Sequence, residues 1–203
     1  MRIAGGNEKG RRLKGAASSK TRATTERVRS AVFNILNRDR YEGGKVLDLF
    51  AGTGSLGIEA LSHGAGSADF VEWDRRQSEV ISSNLKSTGF ASQGHVHCMD
   101  VVQALLSLSG DYDLVLLDPP YSMGGLDDLM EKIASKSGLI VDGGVVVAGH
   151  SKHVSLKEKY GFLNLTSHRQ YGDNVADFFV YEQNPPKKLI QGPDIGEDGY
   201  KSW

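Results

Sequence analysis

The chain has 203 residues, with 24 Lys and Arg against 25 Asp and Glu, so its formal net charge is −1. This length suits one α/β domain with short appendages. The single cysteine excludes an internal disulfide. The sequence has no apolar run long enough to span a bilayer and no signal-peptide pattern, so we expect a soluble cytoplasmic protein.

The charge is distributed unevenly along the chain. Residues 1–30 contain nine Lys and Arg but only two Glu, which gives this segment a charge of +7. A basic arm on an acidic body indicates a polyanionic partner. We expect residues 1–22 to be extended and at best partly ordered without that partner. A helix over residues 24–38 is predicted to open the main domain, which ends at residue 183 and is followed by a flexible tail over 184–203.

Strands and helices alternate after the first helix. Apolar runs predict strands at Lys45–Phe50, Ala68–Glu72, His95–Cys98, Tyr112–Leu117 and Gly144–Ala148. Helices are predicted at Ser55–Ser62, Arg75–Ser87, Leu126–Ser135 and Lys152–Lys159. Two last strands, Leu163–Tyr171 and Val175–Tyr181, have too short a connection to be parallel. The pattern predicts an α/β, Rossmann-like class I methyltransferase fold: a mostly parallel seven-stranded sheet with an antiparallel terminal hairpin and helices on both faces.

A glycine-rich loop follows the first predicted strand. Gly52, Gly54 and Gly57 fit the G-x-G-x-x-G pattern, and Glu72 lies 20 residues after Gly52, where a ribose-binding acid belongs. This pattern alone would also fit a nicotinamide-dependent oxidoreductase. Asp48 argues against a dinucleotide, because a carboxylate would repel a pyrophosphate and attract the ammonium group of S-adenosylmethionine.

Acidic residues follow the first three predicted strands. Ligands of such sheets bind at the carboxyl ends of the strands, so we expect Asp48, Glu72 and Asp100 to bind the ammonium, ribose and adenine parts of one cofactor. Taken singly, Asp48 could be a turn residue and Asp100 a helix N-cap. The other predicted cofactor contacts are Phe50, Ala51, Gly52, Thr53, Gly54, Trp73, which would cover an adenine face, and Val101, which would donate its N–H.

The strongest signal is Asp118-Pro119-Pro120-Tyr121, directly after the fourth strand. The two prolines remove two backbone donors, so the Asp118 carboxylate and the Pro119 carbonyl could accept both hydrogens of a planar amino group. Tyr121 would stack on the base that carries this amine, once that base has left its own stack. No metal is needed for this reaction. His95, His97 and Cys98 could ligate one, but on a strand Cys98 would point away from the two histidines.

Four segments make the chain resemble the RsmD-type family of small-subunit (16S) rRNA guanine-N2 methyltransferases. Arg22-Ala23-Thr24-Thr25-Glu26-Arg27-Val28-Arg29 is similar to the family's R-P-T-x-[DE]-R-V-R pattern, with Ala23 in place of proline. Residues 2–6 and 10–13 resemble its opening glycine and arginine motifs, and residues 171–173 its late Y-G-D turn.

The resemblance implies S-adenosylmethionine as donor and N2 of a guanine in 16S rRNA as acceptor, guanine 966 in reference rRNA numbering. It also implies action on an assembling 30S particle, and we expect a monomer without metal or membrane. The motifs and the basic arm together predict RNA contacts at Arg11, Arg12, Lys14, Arg22, Thr24, Arg27 and Arg29. The alternatives are an amino-methyltransferase acting on DNA adenine or cytosine or on another RNA, a protein glutamine methyltransferase, and an RNA-binding module without activity.

Overall fold

A computed structural model describes residues 1–15, 26–36, 38–108, 110–121 and 123–183 of the chain. The helices are α1 Glu26–Ile35, α2 Ser55–Ser62, α3 Arg75–Thr88, α4 Val101–Ser107 and α5 Leu126–Ser135. The strands are β1 Lys45–Asp48, β2 Ser67–Glu72, β3 Gly94–Cys98, β4 Tyr112–Leu117, β5 Ile140–Ser151, β6 Lys159–Tyr160, β7 Leu163–Tyr171 and β8 Asn174–Tyr181.

The strands form one sheet in the order β3-β2-β1-β4-β5-β8-β7-β6. The five strands from β3 to β5 are parallel, and β8, β7 and β6 continue the sheet in antiparallel pairs. The strand order reverses between β1 and β4, and ligands of doubly wound sheets bind at the carboxyl ends of the strands beside this reversal. Asp48 ends β1, and Asp118 follows β4 there.

Alternate residues of the central strands pack against the two helical layers. Val46, Leu114 and Leu116 contact the layer that holds the N-terminal segment, α1, α2 and α3. Leu47 and Val115 belong to the core on the other face, with α4 and α5. Helices cover both faces, so the continuous apolar runs of the sequence correspond to strands that are buried on both sides.

The predicted fold class is confirmed, but the sheet has eight strands where seven were predicted. The predicted helix Lys152–Lys159 is wrong: its last residue pairs with Asn164 as part of β6, and the segment before it is irregular. The Tyr160 hydroxyl accepts the Lys157 N–H at 2.9 Å and donates to Asp127 at 2.6 Å. The segment presents too few apolar residues at helical spacing to bury a helix face.

The first 15 residues are packed against the domain and are not the extended arm that their composition predicted. Ile3 and Leu13 are buried, and the backbone closes on itself through the bridge between Arg2 and Arg12. The Glu59 carboxylate accepts the backbone N–H groups of Ala4 and Gly5. The predicted division into arm, domain and tail stays a prediction, and residues 16–25 and 184–203 lie outside the described residues.

Candidate functional site

Asp48 lies at the end of β1 and is fully buried. Its Oδ2 accepts the Gly57 N–H at 3.0 Å, whereas Oδ1 makes no hydrogen bond of normal geometry within the described residues. Burial raises the pKa of Asp48 to about 7, and the nearby charges of Asp118 and Glu72 act in the same direction. A buried carboxylate with one oxygen lacking a donor would be stabilised by a cationic ligand.

Glu72 holds the glycine-rich loop at the end of β2. One carboxylate oxygen accepts the Gly52 N–H and the other the Asp74 N–H, both at 2.9 Å. Burial raises the pKa of Glu72 above its usual range. Gly52 and Gly54 have φ of 54° and 76°, a left-handed region that side chains with a Cβ rarely adopt. The loop conformation is therefore fixed by its two glycines and by Glu72.

An open cavity of about 680 Å³ lies beside these residues. This volume is typical of small-molecule sites. Five of the ten predicted cofactor residues line it, namely Phe50, Glu72, Trp73, Asp100 and Val101. Asp48, Ala51, Gly52, Thr53 and Gly54 do not line the cavity and belong to the adjoining strand end and loop. Trp73 is 76% exposed, so its ring is accessible to a ligand from outside.

Asp100 precedes α4 and caps it, with Oδ1 accepting the Gln103 N–H at 2.9 Å. The helix-cap interpretation is therefore correct for this residue. Asp100 nevertheless lines the open cavity, and its second carboxylate oxygen can accept a hydrogen bond from a ligand. The cofactor roles of all ten residues stay predictions.

A second cavity, which we call the closed pocket, is lined by Asp118 and has a volume of only about 30 Å³. Its polar lining is Asp118, Tyr121, His150 and Asn174, and its apolar wall includes Val28 from α1. The Tyr121 hydroxyl donates to Asn174 Oδ1, which ties the loop after β4 to the start of β8. A Cβ at Gly149 would lie 2.9 Å from Asp118 Oδ1, so the glycine leaves room for the carboxylate.

The loop after β4 contributes to both cavities, but Asp118 and Tyr121 of the motif line only the closed pocket. Pro119 is buried and Pro120 exposed, and the Met123 N–H donates to the Pro120 carbonyl at 2.8 Å. Met123 lines the open cavity, whereas Tyr121 lines the closed pocket.

The predicted RNA contacts fall into three groups. Arg11, Arg12, Lys14 and Arg27 are exposed, although Arg11 pairs with Glu8 and donates to the Ser87 carbonyl. Arg22 and Thr24 lie outside the described residues.

For Arg29 the prediction of direct RNA contact is wrong, because its side chain is fully buried. Its Nε lies 2.8 Å from Glu59 Oε2, and its Nη2 donates to the Arg2 carbonyl.

Sequence reasoning missed several residues that shape this region. Asn84 of α3 is buried and joins the N-terminal segment to the glycine loop, accepting the Lys14 N–H at 2.8 Å and donating to the Thr53 carbonyl at 2.9 Å. His150 is buried as well, and its Nε2 lies 2.9 Å from Asp177.

His97, considered above as a metal ligand, instead contacts Asp69 at 2.7 Å. The alternation of β5 and β8 places His150 and Asp177 on one face, which is the signal that could have paired them.

None of the described helices has the length and apolar character needed to cross a membrane.

Comparison with known proteins identifies the family. Residues 1–180 match the family described as "Conserved hypothetical protein 95". The chain is 37% identical to the Bacillus subtilis (strain 168) protein named "Putative rRNA methyltransferase YlbH", over 85% of this chain and 94% of that protein. It is 34% identical to "Ribosomal RNA small subunit methyltransferase D" of Escherichia coli (strain K12), over 68% and 69% of the two chains.

A solved structure has the same fold. "Putative methyltransferase yhhF from Escherichia coli" superimposes with a TM-score of 0.79 and 28% identity, over 90% of this chain and 98% of that one. The matches cover almost the whole described chain, including the N-terminal segment and the antiparallel end of the sheet. The chain belongs to the RsmD family of S-adenosylmethionine-dependent methyltransferases.

Proposed function

We propose that the protein transfers a methyl group from S-adenosylmethionine to the exocyclic N2 of a guanine in 16S rRNA, with guanine 966 in reference rRNA numbering as the target. The observation that carries this proposal is the position of Asp118 and Tyr121 on the closed pocket, in the same loop whose Met123, Gly124 and Gly125 line the open cavity. The printed names of two relatives support rRNA as the substrate, and one of them specifies the small subunit.

The residues of the open cavity and of the strand end beside it fit the cofactor. Asp48 Oδ1 lacks a hydrogen bond of normal geometry, and an ammonium group would supply the missing donors and the countercharge. Glu72 and Asp100 line the wall where ribose hydroxyls and an adenine amine need acceptors. When bound, S-adenosylmethionine supplies an electrophilic methyl group on a sulfonium. The protein supplies alignment, which accounts for much of the rate of an in-line displacement.

Asp118 and Pro119 act on the acceptor. In our proposal the Asp118 carboxylate and the Pro119 carbonyl accept the two hydrogens of the guanine N2 group and keep its nitrogen directed at the methyl carbon. The C–N bond forms as the C–S bond breaks, and the nitrogen then loses one proton, which Asp118 is placed to accept. Tyr121 stacks on the base, an interaction worth about 1–3 kcal/mol.

The closed pocket is too small for a purine, because about 30 Å³ holds little more than one water. The base must therefore open it. Tyr121 is 39% exposed and its hydroxyl is hydrogen-bonded to the Asn174 side chain, so a movement of the Tyr121 side chain would open the pocket. We propose that the arriving guanine breaks this contact and takes the position beside Asp118.

The RNA surface of the proposal is the exposed part of the N-terminal segment. Arg11, Arg12 and Lys14 are exposed, and Asn84 connects this segment to the glycine loop. We propose that a monomer acts on an assembling 30S particle, where the target is still accessible, and does so without a metal ion. An rRNA substrate places this reaction in the cytoplasm, where ribosomal subunits assemble.

Mass mapping of rRNA tests the proposal. Small-subunit RNA from cells that lack this protein should be missing one methyl group on one guanine, and purified protein with S-adenosylmethionine should restore it on isolated 30S particles. Addition of the Asp118→Ala variant is the control and should restore nothing. A methyl group restored on adenine or cytosine, or restored in DNA and not in rRNA, would contradict the proposal.

A further inference from the structure

The exocyclic amino group of guanine has a different neighbouring ring nitrogen from the amino groups of adenine and cytosine. On guanine, the 2-amino group lies between two ring nitrogens, of which N1 carries a hydrogen and is a donor and N3 is an acceptor. On adenine and cytosine, the ring nitrogen beside the amino group is unprotonated and is an acceptor. A pocket that holds the amine with acceptors can therefore select guanine by placing one more acceptor beside them.

Four of the described residues that line the closed pocket have polar side chains: Asp118, Tyr121, His150 and Asn174. Asp118 is assigned to the amine and Tyr121 to the face of the base. His150 directs both ring nitrogens at protein acceptors, Nε2 at Asp177 and Nδ1 at the Ser151 carbonyl, each at 2.9 Å. Its N–H groups are therefore engaged within the protein.

Asn174 is the first residue of β8 and presents its carboxamide oxygen to the pocket. Its Nδ2 is directed at the Tyr171 carbonyl at 3.4 Å, and its Oδ1 accepts the Tyr121 hydroxyl. The orientation of the amide follows from these two contacts, because only the nitrogen can donate to a carbonyl. The oxygen that Tyr121 holds in the closed state is the acceptor that an entering base would meet.

We propose that Asn174 Oδ1 reads the N1–H of the target guanine and so makes the protein select guanine over bases whose neighbouring nitrogen is an acceptor. This assignment rests on the proposed function, because it requires a base amine at Asp118. The Tyr121–Asn174 hydrogen bond then has two uses. It closes the empty pocket, and it orients the carboxamide before the base arrives.

The test removes the N1–H of the substrate base. Reconstituted 30S particles carry either guanine or 2,6-diaminopurine at the methylated position; the latter keeps the 2-amino group but has an amino group in place of the 6-oxygen, which leaves N1 unprotonated. Single-turnover methylation by the wild-type protein should favour guanine by about tenfold, the value of one hydrogen bond. Asn174→Ala should lose most of this preference through a lower rate on guanine, with little change on 2,6-diaminopurine.

Two further variants separate the acceptor from a structural role. Asn174→Asp keeps an oxygen at this place and should keep the preference for guanine. Asn174→Leu places a side chain of similar volume but without a polar atom at this position and should behave like Asn174→Ala. This variant tests the same point if Asn174→Ala impairs folding. Asn164→Ala, on the neighbouring strand with its amide bonded to the Phe162 carbonyl, is the matched control and should keep both rate and preference.

The outcomes distinguish this inference from the proposed function. If the wild-type protein methylates guanine and Asn174→Ala and Asn174→Leu keep the full preference, Asn174 does not read N1–H, and the proposed function still stands. If the wild-type protein methylates neither base at that position, the proposed function itself fails. If Asn174→Asp also lost the preference for guanine, the preference would depend on the geometry of the turn. The proposal that Asn174 Oδ1 recognises N1–H would then be wrong.

Discussion

The open cavity and the closed pocket differ in how much of each is already formed. The open cavity has a volume of about 680 Å³, and its Glu72 accepts the backbone N–H groups of Gly52 and Asp74. The closed pocket has about 30 Å³, and the side chains of Tyr121 and Asn174, which line it, are hydrogen-bonded to each other. The cofactor side is thus preorganised, whereas the acceptor side has to open.

This difference has a physical reason. A cofactor that is used in every cycle binds tightly if its site needs no reorganisation. A base that must first leave its own stack is better received by a pocket that only the base can open, because water is kept out until then. Substitutions in the two cavities should therefore affect different measurements, and this expectation can be tested.

The largest effect is expected at Asp118, which lines the closed pocket. Asp118→Ala should lower single-turnover methylation of 30S particles by about a thousandfold, because the acceptor amine loses the group that orients it and takes its proton. Binding of S-adenosylhomocysteine, measured by calorimetry, should change by less than about threefold. Substantial activity of Asp118→Ala in a protein of unchanged Tm would contradict the assignment. A loss of cofactor affinity as large as the loss of rate would show that Asp118 also serves the cofactor site.

A smaller effect, confined to the cofactor side, is expected at Asp48. Its pKa of about 7 means that the carboxyl is partly protonated near neutral pH, and only the carboxylate attracts an ammonium group. The apparent affinity for S-adenosylhomocysteine should therefore rise by about tenfold from pH 6 to pH 8. Asp48→Asn should weaken binding by about 1–3 kcal/mol at pH 8 and abolish this pH dependence. A wild-type affinity that is flat between pH 6 and pH 8 would show that Asp48 does not bind the ammonium.

The same variant should be more stable than the wild type at high pH. A carboxyl whose pKa is raised by folding stabilises the protein fully below its unfolded pKa, and this stability is lost as the pH rises through about 7. Asp48→Asn carries no charge to bury, so its Tm at pH 8 should exceed that of the wild type by about 5 °C, with a much smaller difference at pH 5. Higher stability together with weaker cofactor binding in Asp48→Asn would show that the buried carboxylate binds the cofactor at the expense of the stability of the folded protein.

The cofactor side was also the more predictable from sequence. The strand–loop pattern around Asp48 and the position of Glu72 follow local rules, because a strand end, a glycine turn and a helix start are set by neighbouring residues. The acceptor side was predicted only where the motif is continuous, at residues 118–121. Asn174 comes from a turn 53 residues later, and only the order of strands in the sheet brings it to Tyr121.

Two predictions were wrong because charged residues were assumed to be exposed to solvent. The segment Lys152–Lys159 has alternating charges that suit a solvated helix, but the Tyr160 hydroxyl fixes it as an irregular stretch. Arg29 was counted with the basic surface of the arm. It is four residues before Phe33 on α1, and this spacing places it on the buried face, opposite Glu59. Helical spacing could have identified Arg29 as buried, but not its partner, which is 30 residues further along.

The smallest effect is expected from the exposed part of the N-terminal segment, which lies outside both cavities. Arg12→Ala should weaken binding to rRNA by a few-fold, and the slope of the logarithm of affinity against the logarithm of salt concentration should fall by about 0.7–0.9, the value for one lost phosphate contact. Lys159→Ala removes an equally exposed charge from β6 at the far edge of the sheet and should leave the slope unchanged. S-adenosylhomocysteine affinity should stay the same in both variants, because neither residue lines the open cavity. If the two substitutions lowered the slope equally, RNA would be held by the overall charge and not by the packed N-terminal segment, and its buried anchors at Glu59 and Asn84 would serve stability alone.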